Sequence, residues 1–156
     1  MRKPIVAGKF YPERRAELER EVKKLLSKKK QEVKLAIVPH AGYDFSGKLM
    51  GEVLGMMKEK KTFIILGVNH SGFGEKLAFS SEDFSTPLGV VKNNKILGKK
   101  IIGKLNGVVD AGINDLSHSQ EHSIEVLLPF LQLSQRKFDI VPILLRNLEY
   151  EGCKEV

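Results

Sequence analysis

The sequence predicts an α/β sandwich. Short apolar runs rich in β-branched side chains recur along the chain, and longer segments with apolar residues at helical spacing lie between them. Turns containing glycine or proline separate these segments. The 156 residues, of which 42% are hydrophobic and 29% charged, suffice for one domain with a buried core. We therefore expect residues 1–156 to form a single α/β domain.

The first part of the chain predicts two helices and two strands. Residues 13–27 carry apolar side chains at helical spacing within a charged segment, which predicts an amphipathic helix. The β-rich run 33–38, closed by Pro39, predicts a strand, and the run 62–66 predicts the most hydrophobic strand in the chain. A second helix, from about Gly47, connects them. We expect the two strands to form a parallel pair at the centre of the sheet.

Two short strands and a third helix follow. Residues 77–80 and 90–91 predict strands on either side of a turn at residues 86–89. Residues 94–105 have a broad apolar face at helical spacing, which predicts a helix that ends near Gly107. The two strands extend the predicted sheet.

The last third of the chain predicts a fourth helix and a further strand. Residues 120–131 predict the helix, with Ser117 or Ser119 as its N-cap and a kink at Pro129. Residues 139–145 then predict another buried strand.

The composition excludes several classes of protein. The longest uninterrupted apolar stretches are far too short to cross a bilayer, and no signal-peptide core is present, so we expect a cytoplasmic protein without a membrane segment. The single cysteine, Cys153, excludes an intramolecular disulfide. The net charge of +7 comes largely from lysine clusters without interleaved aromatic residues, which does not favour a nucleic-acid partner.

The histidines are the residues most indicative of chemistry. His40 follows the strand predicted at 33–38, and His70 follows the strand predicted at 62–66. Loops at the carboxyl ends of strands are where open α/β sheets build their sites, and neutral imidazoles from different loops bind first-row metals. In the alternative, the two histidines form hydrogen bonds that orient their glycine-rich turns. Both interpretations stay open on spacing alone.

The other two histidines lie close together in sequence. His122 falls in the first turn of the helix predicted at 120–131, where the helix dipole favours the neutral imidazole, so it suits a base, a hydrogen-bond donor or a third metal ligand. In the alternative it packs under a loop. Glu121 and Glu125 either orient an imidazole or complement the helix N-terminus. We expect His118 to be a surface loop residue.

Further polar residues continue the histidine loops. Tyr43, Asp44 and Ser46 follow the first histidine, and Asn69 precedes the second. They are candidates for contacts to a ligand, with helix N-capping as the alternative for Asp44 and Ser46. The sequence contains neither a Gly-x-Ser-x-Gly elbow nor a Walker phosphate loop, so hydrolysis by those mechanisms is not favoured.

Five motifs, read together and in order, resemble the MEMO family. They are PIVAGKFYP at 4–12, PHAGY with the following SG at 39–47, GVNH at 67–70, TPLG at 86–89 and EHSIEVLLPF at 121–130. The resemblance implies a three-layer αβα sandwich with a mixed sheet, similar to class III extradiol ring-cleaving dioxygenases. Those enzymes hold a non-haem iron with two histidines and a carboxylate, while another histidine acts as acid or base.

The resemblance assigns roles to individual residues. His40 and His70 match the two metal-binding histidines, and His122 matches the catalytic histidine of the pocket, to which Glu121 also belongs. In the MEMO family the third metal position is a cysteine from the C-terminal half, and Cys153 comes too early in the chain to match it. We expect the chain to lack its C-terminal portion, and we expect a homo-oligomer to cover the apolar sheet edge left open.

The implied function is that of a metal-binding redox protein with Fe(II) or copper, zinc being a further alternative. Two other hypotheses stay open: a binding module that uses the old pocket to engage a small molecule or a peptide, and an inactive truncated remnant. Microbial relatives are associated with radical-SAM and AMMECR1-type proteins, which implies a functional link to such partners.

Overall fold

A mixed sheet of six strands has helices on both faces in the computed structural model, which describes residues 1–154. The helices are α1 (Arg15–Leu25), α2 (Tyr43–Met56), α3 (Lys95–Leu105), α4 (Asp115–Ser119), α5 (Leu128–Ser134) and α6 (Tyr150–Lys154). The strands are β1 (Thr62–Val68), β2 (Leu77–Phe79), β3 (Phe84–Thr86), β4 (Gly89–Asn93), β5 (Ala111–Ile113) and β6 (Asp139–Leu145). No helix in this part of the chain has both the length and the apolar character needed to cross a membrane.

Strand β6 is the centre of the sheet. It pairs in parallel with β1 over all seven residues, from Thr62 opposite Asp139 to Val68 opposite Leu145. It also pairs in parallel with β4 near its start and antiparallel with β2 near its end. Because β1 and β6 run in the same direction, the loops that follow them emerge at the same edge of the sheet.

The two faces of β6 belong to two hydrophobic cores. Ile140 and Leu144 point into the larger core, with the buried apolar residues of α1, α2 and α5. Val141 and Ile143 point into a smaller core that includes the apolar face of α3. This alternation follows from the two-residue period of a strand. The arrangement of helices, sheet and helices confirms the predicted α/β sandwich.

The segment predicted as a strand at 33–38 is not one. Its backbone joins no ladder in the described part of the chain, and the parallel partner of β1 is β6. Ala36 and Val38 pack against the larger core, whereas the side chains of Leu35 and Ile37 are 82% and 89% exposed. Alternation is therefore present, but no strand in the described part of the chain pairs with this segment, and a strand is defined by that hydrogen-bonded pairing.

Strand β1 has a similar open face. Its side chains Ile64, Leu66 and Val68 are 55%, 60% and 46% exposed, while Ile65 is buried in the larger core. In the described part of the chain β1 pairs only with β6, so it is an edge strand and not the central strand that the sequence predicted.

Helix α2 begins earlier than predicted. Its first residue is Tyr43 and Gly42 is the N-cap, so Asp44 and Ser46 lie inside the helix and do not cap it. The Tyr43 backbone N–H donates to the carbonyl of Phe10 at 2.8 Å, which holds the helix start against the N-terminal segment. A local sequence pattern contains no sign of this long-range contact.

The continuous helix predicted at 120–131 is also wrong. Helix α4 ends at Ser119, residues 120–124 are not helical, and a 3₁₀ turn over Glu125–Leu127 leads into α5. The Glu121 carboxylate accepts the backbone N–H groups of the two residues that follow it, in place of a capping serine. Pro129 lies in the first turn of α5, where a missing N–H costs nothing, and does not kink a helix.

Candidate metal centre

Three histidines from three separate segments lie together. His40 precedes α2, His70 follows β1, and His122 lies between α4 and the 3₁₀ turn. The ring centroids of His40 and His70 are 5.3 Å apart, those of His70 and His122 4.9 Å, and those of His40 and His122 5.9 Å. One nitrogen from each ring lies within 4.8 Å of the others. The structure thus brings together the histidines that the sequence predicted as ligands and base.

The β1–β6 ladder positions His70. The β1–β6 ladder continues one residue beyond the strand, because the Asn69 N–H donates to the carbonyl of Leu145 at 2.9 Å. His70 is therefore the first residue beyond the hydrogen-bonded end of the β1–β6 ladder. The Ser123 hydroxyl donates to the carbonyl of Val68 at 3.0 Å and ties the His122 segment to the same strand end.

Tyr43 ties the His40 loop to the segment that carries His122. Its hydroxyl is buried and donates to the carbonyl of Val126 at 2.9 Å. Burial is the main cause that raises the pKa of Tyr43 far above its ordinary value, so it stays a neutral donor. Tyr43 is thus a core residue beneath the site, although the sequence predicted it in the pocket.

Glu121 is a buried carboxylate that holds two of the histidine loops. It accepts the His70 N–H at 2.7 Å, the His122 N–H at 2.6 Å and the Ser123 N–H at 2.8 Å. Burial opposes its ionisation, but these hydrogen bonds and the one from the His70 ring outweigh that effect and lower the pKa of Glu121. Glu121 is therefore an anion that orients an imidazole, and it does not complement a helix N-terminus.

The contact with Glu121 fixes the ring of His70. Both carboxylate oxygens lie 3.0 Å from His70 Nδ1. An ionised carboxylate can only accept hydrogen bonds, so His70 Nδ1–H is the donor in this contact. The His70 side chain is 47% exposed.

The other two imidazoles have more covered surroundings. Burial first, and then the neighbouring His70 and His122, lower the pKa of His40 below its ordinary value, so His40 is neutral at pH 7. The His122 side chain is 24% exposed, stacks on His70 at 14° between the ring planes, and meets the edge of Phe10 at 4.9 Å between centroids. Neutral imidazoles with free lone pairs are ligands for iron, copper and zinc, so the donor set fits a first-row metal.

Two other predicted pocket residues have different surroundings. Asn69 is 7% exposed, and its side chain donates to the carbonyl of Phe73 and accepts from Ser71 and Gly72, so it shapes the turn after His70. Asp44 is exposed in the first turn of α2. Cys153 lies exposed in α6 and is outside the cluster of metal-ligating groups found among the described residues.

The prediction that His118 is a surface loop residue is wrong. It lies in α4 and is 2% exposed. Its Nε2 donates to the carbonyl of Ala78 at 2.9 Å and its ring meets Phe84 edge to face. Burial lowers the pKa of His118 to about 4. His118 is therefore a neutral core residue that ties α4 to β2.

Sequence reasoning missed an ionic network beneath the histidine cluster. Arg2 is buried and pairs with Glu125, and it also donates to the carbonyls of His118 and Glu121. Glu125 further accepts from the Tyr11 hydroxyl at 2.6 Å. The side-chain partners of Glu125 are thus Arg2 and Tyr11. It neither orients an imidazole nor complements a helix N-terminus. The sequence signals were that Tyr11 and Glu125 lie in the first and last of the five motifs, but Arg2 and Glu125 are 123 positions apart and nothing in the sequence pairs them.

The fold and the cluster define a class: an α/β sandwich with three convergent histidines beside the end of strand β1. Sequence comparison then identifies the family. The profile of the Memo-like protein family matches residues 2–156, and the chain belongs to that family, which confirms the resemblance.

Curated relatives agree with this assignment. A MEMO1 family protein of Methanosarcina mazei is 43% identical over 160 residues, which cover all of this chain and 58% of the relative. MEMO1 family proteins of Aquifex aeolicus and Pyrococcus abyssi are 38% and 41% identical, with 58% and 53% of the relative covered. The chain thus spans less than two thirds of the length of these relatives.

Proposed function

We propose that this chain binds a redox-active first-row metal, iron or copper, through His40 and His70, and that His122 moves protons at the same site. The observation that carries the proposal is the convergence of three imidazoles from separate segments within 4.8 Å. Membership of the Memo-like family supports it, because the resemblance assigns the same roles to the same residues.

The surroundings of each ring suit its proposed role. His70 offers Nε2 because Nδ1 donates to Glu121, and His40 is neutral because it is partly buried beside two other imidazoles. A bound iron or copper ion would supply redox chemistry that no side chain here provides. Zinc suits the same nitrogen donors but would supply only Lewis-acid chemistry.

His122 has a contact suited to proton transfer. Its Nδ1 lies 3.4 Å from Glu121 Oε1, and its ring is stacked on His70. A buried carboxylate near an imidazole can orient the ring. His122 would therefore be placed to give or take a proton next to a ligand bound by the other two histidines, as a general acid or base does.

Anaerobic titration with Fe(II), Cu(I) and Zn(II) tests the proposal. Wild-type protein is compared with the His40→Ala, His70→Ala double variant, and His118→Gln removes a histidine outside the cluster as a matched control. We expect binding by the wild type and the control and its loss in the double variant. Binding that survives in the double variant would refute the assigned ligands.

The role of His122 needs a separate comparison. His122→Ala should leave the affinity within about tenfold of wild type if His122 moves protons, since a side chain that neither binds the metal nor orients a ligand contributes less to metal affinity than a ligand does. A loss as large as that of either single variant, His40→Ala or His70→Ala, would make His122 a third ligand instead.

A second candidate is a peptide-binding module. It is favoured by the exposed apolar side chains of β1, Ile64, Leu66 and Val68, since contiguous exposed apolar surface often marks an interaction site. Metal content and oxygen consumption of the purified protein separate the two functions. A metal-dependent redox protein retains metal and consumes oxygen with a reductant or substrate present, whereas a binding module does neither.

A further inference from the structure

We propose that Glu121 is a positioning residue that fixes His70 as the Nδ1–H tautomer and so directs Nε2 into the histidine cluster. The inference rests on the proposed metal function, which it deepens by naming the group that prepares one of the two ligands. It does not make Glu121 a ligand itself.

The geometry leaves the carboxylate little freedom to rotate. Its side chain is 2% exposed, and backbone N–H groups approach both of its oxygens. Oε2 accepts from His70, and Oε1 accepts from His122 and Ser123. Rotation of the carboxylate would break hydrogen bonds to all three backbone groups, and leaving such buried N–H groups unpaired is unfavourable.

This fixed anion determines which nitrogen of His70 carries the proton. Each carboxylate oxygen is 3.0 Å from Nδ1, and neither can donate. The Nδ1–H tautomer is therefore stabilised, and Nε2 is left as the acceptor. A carboxylate behind a metal-binding histidine raises the basicity of the ligand nitrogen and holds the ring in place.

The same contacts argue against direct ligation by Glu121. Oε1 accepts two backbone hydrogen bonds and lies near the His70 ring, and Oε2 accepts one backbone hydrogen bond and lies near the same ring. A metal ion would have to displace these donors. The cluster of ligand atoms found among the described residues accordingly contains the three histidines and not Glu121.

The first test needs no metal. Nitrogen-15 NMR of the histidine rings reports which ring nitrogen of His70 is protonated. We expect the Nδ1–H tautomer in the wild type and a shift toward Nε2–H in Glu121→Gln, because the glutamine has one acceptor oxygen where three N–H groups and a ring compete for it. The same tautomer in both proteins would overturn the proposal.

The second test measures metal affinity. Glu121→Gln should weaken binding of whichever of Fe(II), Cu(I) or Zn(II) the wild type binds by about 10–100-fold, the usual effect of removing such a hydrogen-bond partner. Glu52→Gln, the same chemical change at an exposed position of α2, is the matched control and should bind as the wild type does. An unchanged affinity in Glu121→Gln would overturn the positioning role even if the tautomer changes.

A double-mutant cycle separates positioning from a general structural effect. If Glu121 acts through His70, Glu121→Gln should weaken metal binding much less in a His70→Ala background than in the wild type. Equal losses in both backgrounds would mean that Glu121 merely supports the loops. If Glu121→Gln does not fold, Glu121→Asp retains the charge but withdraws it from His70, and a smaller loss of affinity in the same direction is expected.

The two proposals fail in different ways. If the wild type binds none of the three metals, the proposed function is wrong, while the ring NMR still decides whether Glu121 fixes the tautomer. If the wild type binds metal and Glu121→Gln leaves tautomer and affinity unchanged, the proposed function stands and the positioning role is wrong.

Discussion

Glu121 and Glu125 are buried carboxylates four positions apart in one segment, yet their surroundings differ. Glu125 is fully buried and faces Arg2, the Tyr11 hydroxyl and two backbone N–H groups of the N-terminal segment. Glu121 faces His70 and the backbone of the other histidine loop. The chemistry of the partners, a permanently charged guanidinium in one case and the imidazole of a proposed metal ligand in the other, separates a structural carboxylate from one that belongs to the candidate site.

Arg2 contacts both glutamates and so links them. One guanidinium pairs with the Glu125 side chain, donates to the carbonyl of Glu121 and lies 5.3 Å from the Phe84 ring centroid. The ion pair therefore holds the backbone that carries Glu121. Arg2 therefore couples the stability of the fold to the geometry of the site. Substitutions of Glu125 and of Glu121 should nevertheless have effects of different size on stability.

The largest effect expected is on stability, from Glu125→Gln. Neutralising Glu125 leaves the charge of Arg2 uncompensated in the interior, and breaking a buried pair in this way costs about 3–5 kcal/mol. Urea unfolding followed by circular dichroism measures the change. The Arg2→Met, Glu125→Leu double variant removes both charges and should recover part of the loss. A cost for Glu125→Gln below about 1 kcal/mol, the level of an exposed pair, would contradict the structural role.

His118 is a third buried ionisable group, and unlike the two glutamates it is neutral. Its pKa is lowered to about 4 from an ordinary value of 6.5. The unfolded chain therefore binds the proton more readily, so the contribution of His118 to stability is complete above pH 6.5 and is lost as the pH falls toward 4. The shift corresponds to about 3 kcal/mol at most. Unfolding free energies measured across this range should fall less steeply in His118→Gln than in the wild type, and parallel curves would contradict the assignment.

Glu121→Gln should affect stability less than Glu125→Gln does. Its glutamine still offers one acceptor oxygen, and no arginine side chain is left uncompensated, so the expected cost is about 1–3 kcal/mol from imperfectly paired N–H groups. Urea unfolding of the metal-free protein gives the value. The ratio of the two losses is the informative quantity, and a larger loss for Glu121→Gln would mean that the assigned roles are reversed.

The elements with strong local patterns were predicted well. Strand β6 has the predicted bounds, 139–145, and α3 (Lys95–Leu105) differs by one residue at its start. The apolar residues of α3 recur at helical spacing, and β6 is a continuous apolar run that is buried on both sides, so the local pattern and the tertiary environment agree. The three clustered histidines were found for a related reason, since each lies in a motif shared with the MEMO family.

The failures involve contacts that hydrophobic periodicity does not report. The segment 33–38 has the composition of a strand but pairs with no strand in the described part of the chain, and the helix predicted at 120–131 is interrupted where the Glu121 side chain accepts backbone N–H groups. Neither the burial of His118 nor its bond to Ala78 follows from neighbouring residues. The Arg2 network joins residues from opposite parts of the chain. Hydrophobic periodicity is a local pattern and contains no information about such pairs.

The smallest effect is expected for Asp44→Ala, which is also the control for the other substitutions. Asp44 is a third carboxylate close in sequence to a proposed ligand, four positions after His40, but it is exposed in the first turn of α2. Asp44→Ala should therefore change the free energy of unfolding by no more than about 0.5 kcal/mol, the usual range for surface substitutions. It should also leave metal affinity as in the wild type. A loss of affinity comparable to that of Glu121→Gln would show that proximity of negative charge, and not a fixed hydrogen bond to His70, is what a carboxylate contributes to this cluster.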